Sequence, residues 1–355
     1  MKTAPPALPG WLAVLRQRLF ATWLDTVVSL LCLYVVWRMS VPLVDWLLIE
    51  ANWKGTSRED CTGSGACWVF IRARFAQFMY GQYPVAERWR VDLLGLLAVF
   101  AGAALSWRGL PRRKEMATVV VVLPPLGIWL LYGGFGLKIV ETREWGGLML
   151  TLFLAIYAGL IAVPLGIVLA LGRRSRLPLI RFVSIVFIEF WRGVPIITVI
   201  FLASLLLPLI MPTGFNVDRL ARAVIGLAFV IAAYMAEAVR GGLQAVPDGQ
   251  TEAAQALGLG YWRIMRLIVL PQALRISLPA MTNEFIALFK NTTLVLIVSI
   301  FDLLGIAQAA LADPAWVGMN MEAYVFAGAI YWFACFGLSQ WSRSREKRLQ
   351  AAYGR

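Results

Sequence analysis

The chain has 355 residues, of which 60% are hydrophobic and 15% are charged, and its formal net charge is +13. Soluble domains average about one-quarter charged residues, so this composition, with a mean hydropathy of +0.73, excludes an ordinary soluble domain and indicates a membrane protein. The sequence contains no histidine, which removes the usual general base and the commonest metal ligand.

Eight apolar stretches are long enough for the roughly 20 residues that cross a bilayer. They predict an all-α membrane protein with about eight transmembrane helices. In chain order the stretches lie near 26–49, 91–107, 117–136, 146–172, 182–210, 222–243, 279–304 and 323–341. Arg38 and Pro42 interrupt the first stretch and predict a tilt or kink there. The first residues of the chain lack the apolar length of a cleavable signal peptide.

Lysine and arginine orient these helices, because both accumulate in short cytoplasmic loops. The basic clusters at 108–114, 173–181, 263–275 and 343–355 all fall on one side of an eight-span arrangement. The sequence therefore predicts that both termini are cytoplasmic and that the 50–90 loop lies outside. Because the basic residues lie in short clusters at span ends, the positive charge favours a topological role over nucleic-acid binding.

Residues 1–140 form a predicted accessory region of about three spans, and they show no spaced chemistry apart from two cysteines. Cys61 and Cys67 flank the segment TGSGA in the external 50–90 loop. In an oxidising compartment such a pair can form a disulfide, which we favour over two free thiols.

Residues 141–345 carry charged side chains inside predicted spans, where charge is costly and needs an explanation. These side chains are Glu189, Arg192, Glu237, Arg240, Glu284 and Lys290. The first four form two i,i+3 pairs of opposite sign, each on one helix face. Spacing alone favours structural ion pairs. The sharper interpretation is a gate or a polar cavity for a zwitterion, with a cation for its carboxylate and an anion for its ammonium group.

Lys290 and Asn291 are followed by two threonines and interrupt what is otherwise an apolar helix. Irregular backbone at membrane depth is tolerated where it lines a cavity. The sequence therefore predicts a broken helix that lines a passage.

The segment 252–271, EAAQALGLGYWRIMRLIVLP, is a polar interruption between two apolar stretches, within a predicted loop at 244–278. Its alanines favour a thin helix, and Gly258 and Gly260 allow the positive φ of a sharp bend. Pro271 marks where the next element begins. The pattern predicts two short helices that meet at a glycine.

The sequence also excludes several chemistries. It contains no G-x-x-x-x-G-K-[ST] segment, so the chain has no phosphate-binding loop of the Walker type. Its four cysteines are not clustered as the ligands of zinc or an iron–sulfur centre are. We therefore expect that this chain is not an enzyme and binds no metal or cofactor.

Taken together, these residues make the chain resemble the permease subunits of ATP-binding-cassette (ABC) importers for polar amino acids. The 252–271 segment matches the coupling motif of that family, known as the EAA motif. FIEFWRGVP, AYMAEAVRGG and NEFIALFKNTT look like further segments of the same branch. The N-terminal part looks like that of the general L-amino-acid permease type, the subunit lettered M. The resemblance implies a type I ABC-importer permease core over 141–345 and a cytoplasmic tail over 346–355, in the bacterial inner membrane.

The resemblance also implies partners and residue roles. The expected partners are a second permease subunit in a hetero- or pseudo-dimer, a cytoplasmic ABC ATPase dimer that binds ATP and magnesium, and a periplasmic amino-acid-binding protein. ATPase coupling is expected of Glu252, Ala253, Ala254, Gly258, Leu270 and Pro271. Lining or gating of the translocation route is expected of Glu189, Arg192, Glu237, Arg240, Glu284, Lys290 and Asn291.

Three alternatives remain open at this point. A permease for another small polar solute would share all of these features. A secondary transporter or channel would explain the spans and their charges, but it has no use for an ATPase-docking segment. A membrane-bound enzyme or scaffold would need a reactive cluster, and the sequence shows none.

Overall fold

The computed structural model describes residues 18–106, 113–212 and 217–353. Over these ranges the chain is helical and contains isolated β-bridges but no longer strand, which confirms the predicted all-α fold. The start of the chain, where no signal peptide is expected, and the first residues of the basic cluster at 108–114 lie outside the described residues.

The chain divides into two compact units, residues 1–73 and 74–355. In the first unit, helix α1 (Trp23–Val44) begins at Thr22, whose side chain accepts a hydrogen bond from the backbone N–H of Asp25. Pro42 lies inside α1, and a π-helical turn follows the helix at Asp45–Ile49. None of the residues of α1 is buried in the chain.

The segment that follows α1 is cross-linked. Cys61 and Cys67 are joined by a disulfide, with their Cα atoms 5.6 Å apart. The Asp60 carboxylate accepts hydrogen bonds from the backbone N–H groups of Thr56, at 2.8 Å, and Ser57, at 2.9 Å. These bonds favour the ionised form and lower the pKa of the Asp60 carboxyl.

Helix α2 (Trp68–Tyr80) crosses the division between the units, and the remaining helices lie in the second unit. They are α3 (Arg88–Ser106), α4 (Arg113–Tyr132), α5 (Gly147–Arg173), α6 (Pro178–Gly193), α7 (Ile196–Phe201), α8 (Leu207–Ile210), α9 (Arg219–Ala245), α10 (Asp248–Ala256), α11 (Tyr261–Ile264), α12 (Leu270–Asn291), α13 (Leu303–Leu311) and α14 (Asn320–Tyr353). Helix α14 therefore continues into the expected tail at 346–355.

Five helical segments in the described ranges are long and apolar enough to cross a membrane, and a bent pair makes a sixth if it is one span. The five are Trp23–Ile49, Gly147–Arg173, Arg219–Ala245, Tyr261–Val298 and Asn320–Lys347, and the bent pair is Pro178–Gly193 with Ile196–Ile210.

The predicted count of eight spans is thus not confirmed, and two helices account for the difference. Helix α3 forms where a span is predicted, but its first turns carry Arg88, Arg90 and Asp92. The apolar part of α4 is short, Val121–Tyr132.

Helix α9 is the centre of the second unit, where it packs mainly on α5 and α12. Two glycines allow this close approach. A Cβ atom at Gly166 of α5 would lie 2.6 Å from the Cβ of Met235, and one at Gly242 would lie 2.4 Å from the carbonyl oxygen of Ala273 on α12. Both distances are too short for real contacts, so any larger residue would push the helices apart. Helix α9 therefore lies in close contact with both neighbours.

Candidate functional site

Charged side chains from three helices form one ion-pair network, made of Arg173, Glu189, Arg192, Glu237 and Arg240. Arg173, at the end of α5, places its Nη1 atom 3.0 Å from Glu189 Oε1 on α6 and 2.7 Å from Glu237 Oε1 on α9. Arg240 contacts the other oxygen of Glu237 at 2.8 Å. Arg192 lies 3.9 Å from Glu189. The network therefore links the ends of α5, α6 and α9.

Both i,i+3 pairs that the sequence predicts are present, but the residue that joins them, Arg173, is missing from the predicted site. In the sequence Arg173 belongs to a basic cluster at a span end, which has a sufficient topological explanation. Only the packing of α5 against α6 and α9 shows that its guanidinium bridges two carboxylates. Glu237 is 18% exposed whereas Glu189 is 54% exposed, so the bridge to Glu237 is the stronger of the two.

A polar cavity of about 490 Å³ lies between α6, α7, α9 and α12. Its charged and amide-bearing wall residues are Arg192, Glu284 and Asn291. The Arg192 guanidinium lies over the ring of Tyr234, 5.7 Å from its centroid, which holds the cation toward the cavity. We call this space the Arg192 cavity. It combines one cation, one anion and one amide within a volume typical of small-molecule sites.

Two interruptions of helix geometry open this cavity. The chain bends by 103° between α6 and the segment Ile196–Ile210, at a break that contains Val194 and Pro195. Helix α12 ends at Asn291 and continues as a 3₁₀ turn over Thr292–Val298. The second interruption confirms the broken helix that the sequence predicts after Lys290. Because Gly193, Val194 and Pro195 line the cavity, the bend itself forms part of the wall.

The structure separates the seven residues expected along the route. Arg192, Glu284 and Asn291 line the Arg192 cavity, whereas Glu189, Glu237 and Arg240 belong to the ion-pair network, with Arg192 touching both. Lys290 is exposed and lines neither. Successive residues in a helix point about 100° apart, so Lys290 and Asn291 cannot both face the cavity.

The 252–271 segment contains two short helices that meet at a glycine, as the sequence predicts. Gly258 has φ +73°, in the left-handed region, and its N–H donates to the carbonyl of Gln255 at 2.9 Å. Gly260 does not use the positive φ expected of it, since its φ is −73° and it precedes α11 in an extended conformation. One left-handed residue is enough to end α10 and turn the chain.

The residues expected to couple to an ATPase occupy two different environments. Ala254 is 2% exposed and packs in the core, and Leu270 and Pro271 are half-buried in the first turn of α12. The remaining three, Glu252, Ala253 and Gly258, are exposed.

Two large apolar side chains that the predicted site lacks complete this exposed surface. Leu257 is 80% exposed and Trp262 is 75% exposed. Because they lie in a polar segment and not in an apolar span, their exposure favours a surface that another protein covers. We call Glu252, Ala253, Leu257, Gly258 and Trp262 the docking surface.

A bundle of apolar helices with a polar cavity at a broken helix, and an exposed helix pair at one end, defines the class of polytopic transport subunits. Residues 162–350 match the family described as the binding-protein-dependent transport system inner membrane component, and the chain belongs to this family.

Similar proteins extend this assignment. The chain is 50% identical over 335 residues to the inner membrane amino-acid ABC transporter permease protein YhdY of Escherichia coli, covering 94% of this chain and 91% of the relative. It is 35% identical to the glutamate/glutamine/aspartate/asparagine transport system permease protein BztC of Rhodobacter capsulatus, covering 98% and 96%. Both matches include most of residues 1–140.

A solved structure matches more than half of the chain. The crystal structure of an amino acid ABC transporter with histidines is 33% identical, with a TM-score of 0.51, and the match covers 57% of this chain and 92% of that chain. The shared part therefore carries the permease fold.

Proposed function

We propose that this chain is the permease subunit of an ABC importer for L-amino acids in the bacterial inner membrane. The proposal includes a second permease subunit, a separate ATPase dimer that holds ATP and magnesium, and a periplasmic amino-acid-binding protein, with both termini of this chain in the cytoplasm. The names of YhdY and BztC support the amino-acid substrate. The observation that carries the proposal is the exposed helix pair α10 and α11, with Leu257 and Trp262 uncovered. A transporter driven by an ion gradient needs no partner at such a surface.

The docking surface is suited to transmit force. Gly258 and Trp262 face outward, while Ala254 and Ile264 of the same helix pair are 2% and 4% exposed and pack in the core. A π-helical turn, Met265–Val269, then continues directly into α12. A partner that pushes on α10 and α11 therefore moves α12. Helix α12 contributes Glu284 and Asn291 to the wall of the Arg192 cavity.

The Arg192 cavity has the charges that an amino-acid zwitterion needs. The guanidinium of Arg192 can bind the carboxylate in a bidentate manner. Glu284 can bind the ammonium group, and the amide of Asn291 can bind either group. All amino acids share the carboxylate and the ammonium group. A cavity that binds only these two groups accepts several amino acids, and selection among them is then made by the binding protein.

The ion-pair network is suited to act as a gate. It lies toward the end of α9 that leads into the docking surface, whereas the cavity wall residue Tyr234 lies one turn further inside. Opening the path at this end requires α5, α6 and α9 to separate, which breaks the bonds of Arg173 to Glu189 and Glu237. Alternating access can then proceed as rocking of the helices about the cavity.

Reconstitution tests the proposal. Proteoliposomes with this chain, its second permease, the ATPase and the binding protein should take up labelled L-glutamine only when ATP and the binding protein are both present. Uptake driven by an ion gradient in vesicles that contain this chain alone would refute the proposal and support a secondary transporter.

A further inference from the structure

A second cationic site lies at the opposite end of α9 from the ion-pair network. Arg222, in the first turns of α9, is 8% exposed. Its Nη1 donates to the carbonyl oxygen of Ser204 at 2.8 Å, but its Nε and the hydroxyl oxygen of Ser204 are both buried without a hydrogen-bond partner in the described part of the chain. No carboxylate among the described residues forms an ion pair with Arg222. A buried cation without a counter-charge is costly, so its retention calls for an anion.

Two adjacent cavities, of about 450 and 430 Å³, share Arg219, Arg222 and Ser299 in their walls. We call them the arginine cavities. The irregular backbone beside them is the π-helical turn Leu202–Leu206 and Ser299, whose φ is +57°. Each volume is large enough for an amino acid. Both Arg222 and the unpaired Ser204 line the smaller cavity.

The acidic residues nearby contact groups other than the Arg222 guanidinium. Asp218 uses Oδ1 to accept the N–H of Leu220 at 2.8 Å, as the N-cap of α9, and Oδ2 to accept the hydroxyl of Thr142 at 2.6 Å. Glu141 pairs with Arg143 at 2.8 Å. The smaller cavity has arginines but no acidic residue among its described walls. Its local charge is therefore positive.

We infer that the arginine cavities form a loading site, in which Arg222 binds the carboxylate of an amino acid before it reaches the Arg192 cavity. This inference rests on the proposed function. Arg222 and Tyr234 are twelve residues apart on α9, so the two sites are separated by roughly 18 Å at 1.5 Å per residue. An amino acid in one site cannot touch the other.

A free amino acid is a better ligand for Arg222 than an acidic side chain on a docking protein. A protein surface would reach the exposed Arg219 first, whereas Arg222 is buried between helices. The planar guanidinium donates two parallel hydrogen bonds to a carboxylate, and the hydroxyl of Ser204 supplies a further donor. The ligand thereby satisfies both polar atoms that lack partners.

The test measures uptake of labelled L-glutamine by the reconstituted complex as the concentration of loaded binding protein is varied. Arg222→Gln should lower the uptake rate at saturating binding protein by at least about tenfold, because the charge-assisted bonds to the carboxylate are lost. The half-saturating concentration of binding protein should stay within about twofold. Lys138→Gln, which removes an exposed cation outside the cavities, is the control and should behave as wild type.

The outcomes separate the two claims. If wild type takes up neither L-glutamine nor any other labelled L-amino acid, the proposed function is wrong. If wild type is active and Arg222→Gln matches it, or if only the half-saturating concentration of binding protein rises, the loading site is wrong, and the second result assigns Arg222 to protein docking. If Arg222→Gln does not assemble, Arg222→Lys decides: it keeps the charge but loses the bidentate geometry, so uptake should fall about threefold or more, and unchanged uptake overturns the loading site.

Discussion

Substitution of Gly258 provides a sharp test of the docking surface, because the structure separates its effect on this chain from its effect on a partner. Gly258 has φ +73°, and a residue with a Cβ pays about 1–2 kcal/mol in this left-handed region. A Cβ built there meets no other atom within 4 Å. An alanine at this position therefore does not clash with the chain itself, and backbone strain is its only internal cost.

The expected loss of coupling follows from this cost. If the whole strain energy is subtracted from the free energy of ATPase binding, Gly258→Ala weakens that binding by about five- to thirtyfold. Gly258→Trp adds an indole at the turn between α10 and α11, where a groove on the ATPase would close around it, and should abolish ATP-dependent uptake. Membrane abundance of both variants should stay near wild type, because a cost of about 1–2 kcal/mol is confined to an exposed turn.

The assay compares copurification of the ATPase with uptake of labelled L-glutamine at matched membrane abundance. Gly134→Ala is the control, because Gly134 also has a positive φ, +92°, and open space around it, but lies far along the chain from the docking surface. It should retain the ATPase and normal uptake. A Gly258→Trp variant that copurifies the ATPase and transports normally would refute the docking surface.

Four further substitutions test other parts of the structure. Arg173→Gln removes two bridges and should weaken the ion-pair network by about 1–2 kcal/mol, allowing for the exposure of Glu189; ATP hydrolysis without the binding protein should rise severalfold. Arg192→Gln and Glu284→Gln should each lower L-glutamine uptake by at least about tenfold without loss of the ATPase. Cys61→Ser should destabilise the loop by about 2 kcal/mol, measured as faster proteolysis at 50–67, and mass spectrometry of wild type should find the Cys61–Cys67 peptide pair.

Each of these expectations has an outcome that contradicts it. Unchanged basal hydrolysis in Arg173→Gln would leave the network with a structural role only. Normal uptake by Arg192→Gln or Glu284→Gln would show that the Arg192 cavity does not bind the zwitterion through that residue. Alkylation of both Cys61 and Cys67 in protein that has never been reduced would exclude the disulfide. For the three substitutions of charged residues, Lys138→Gln is the control for loss of a charge elsewhere in the chain.

Local patterns made much of the fold predictable. The polar 252–271 segment between apolar runs contains the end of α10 and the whole of α11. The i,i+3 charges form the expected pairs, because spacing on one helix determines which faces they share. The change from α-helix to 3₁₀ helix after Asn291 could also be predicted, because polar residues interrupt an apolar run there.

Other features depend on packing that one sequence does not show. Arg173 becomes part of the site only because Gly166 lets α5 approach α9 closely. Arg222 is unremarkable in sequence, as an arginine at a span end, until burial and a missing counter-charge distinguish it. Gly260 shows the reverse, since it has the residue type for a left-handed conformation but an extended backbone. Lys290 is exposed and lies outside the Arg192 cavity, which the sequence alone does not show.

Uptake by the fully reconstituted complex tests the central claim most directly. Labelled L-glutamine should enter proteoliposomes when this chain, the second permease, the ATPase, the binding protein and ATP are all present, and omission of any one should reduce uptake to background. Uptake that persists without the ATPase, or that is unaffected by Gly258→Trp, would contradict the assignment of this chain as an ATPase-coupled amino-acid permease.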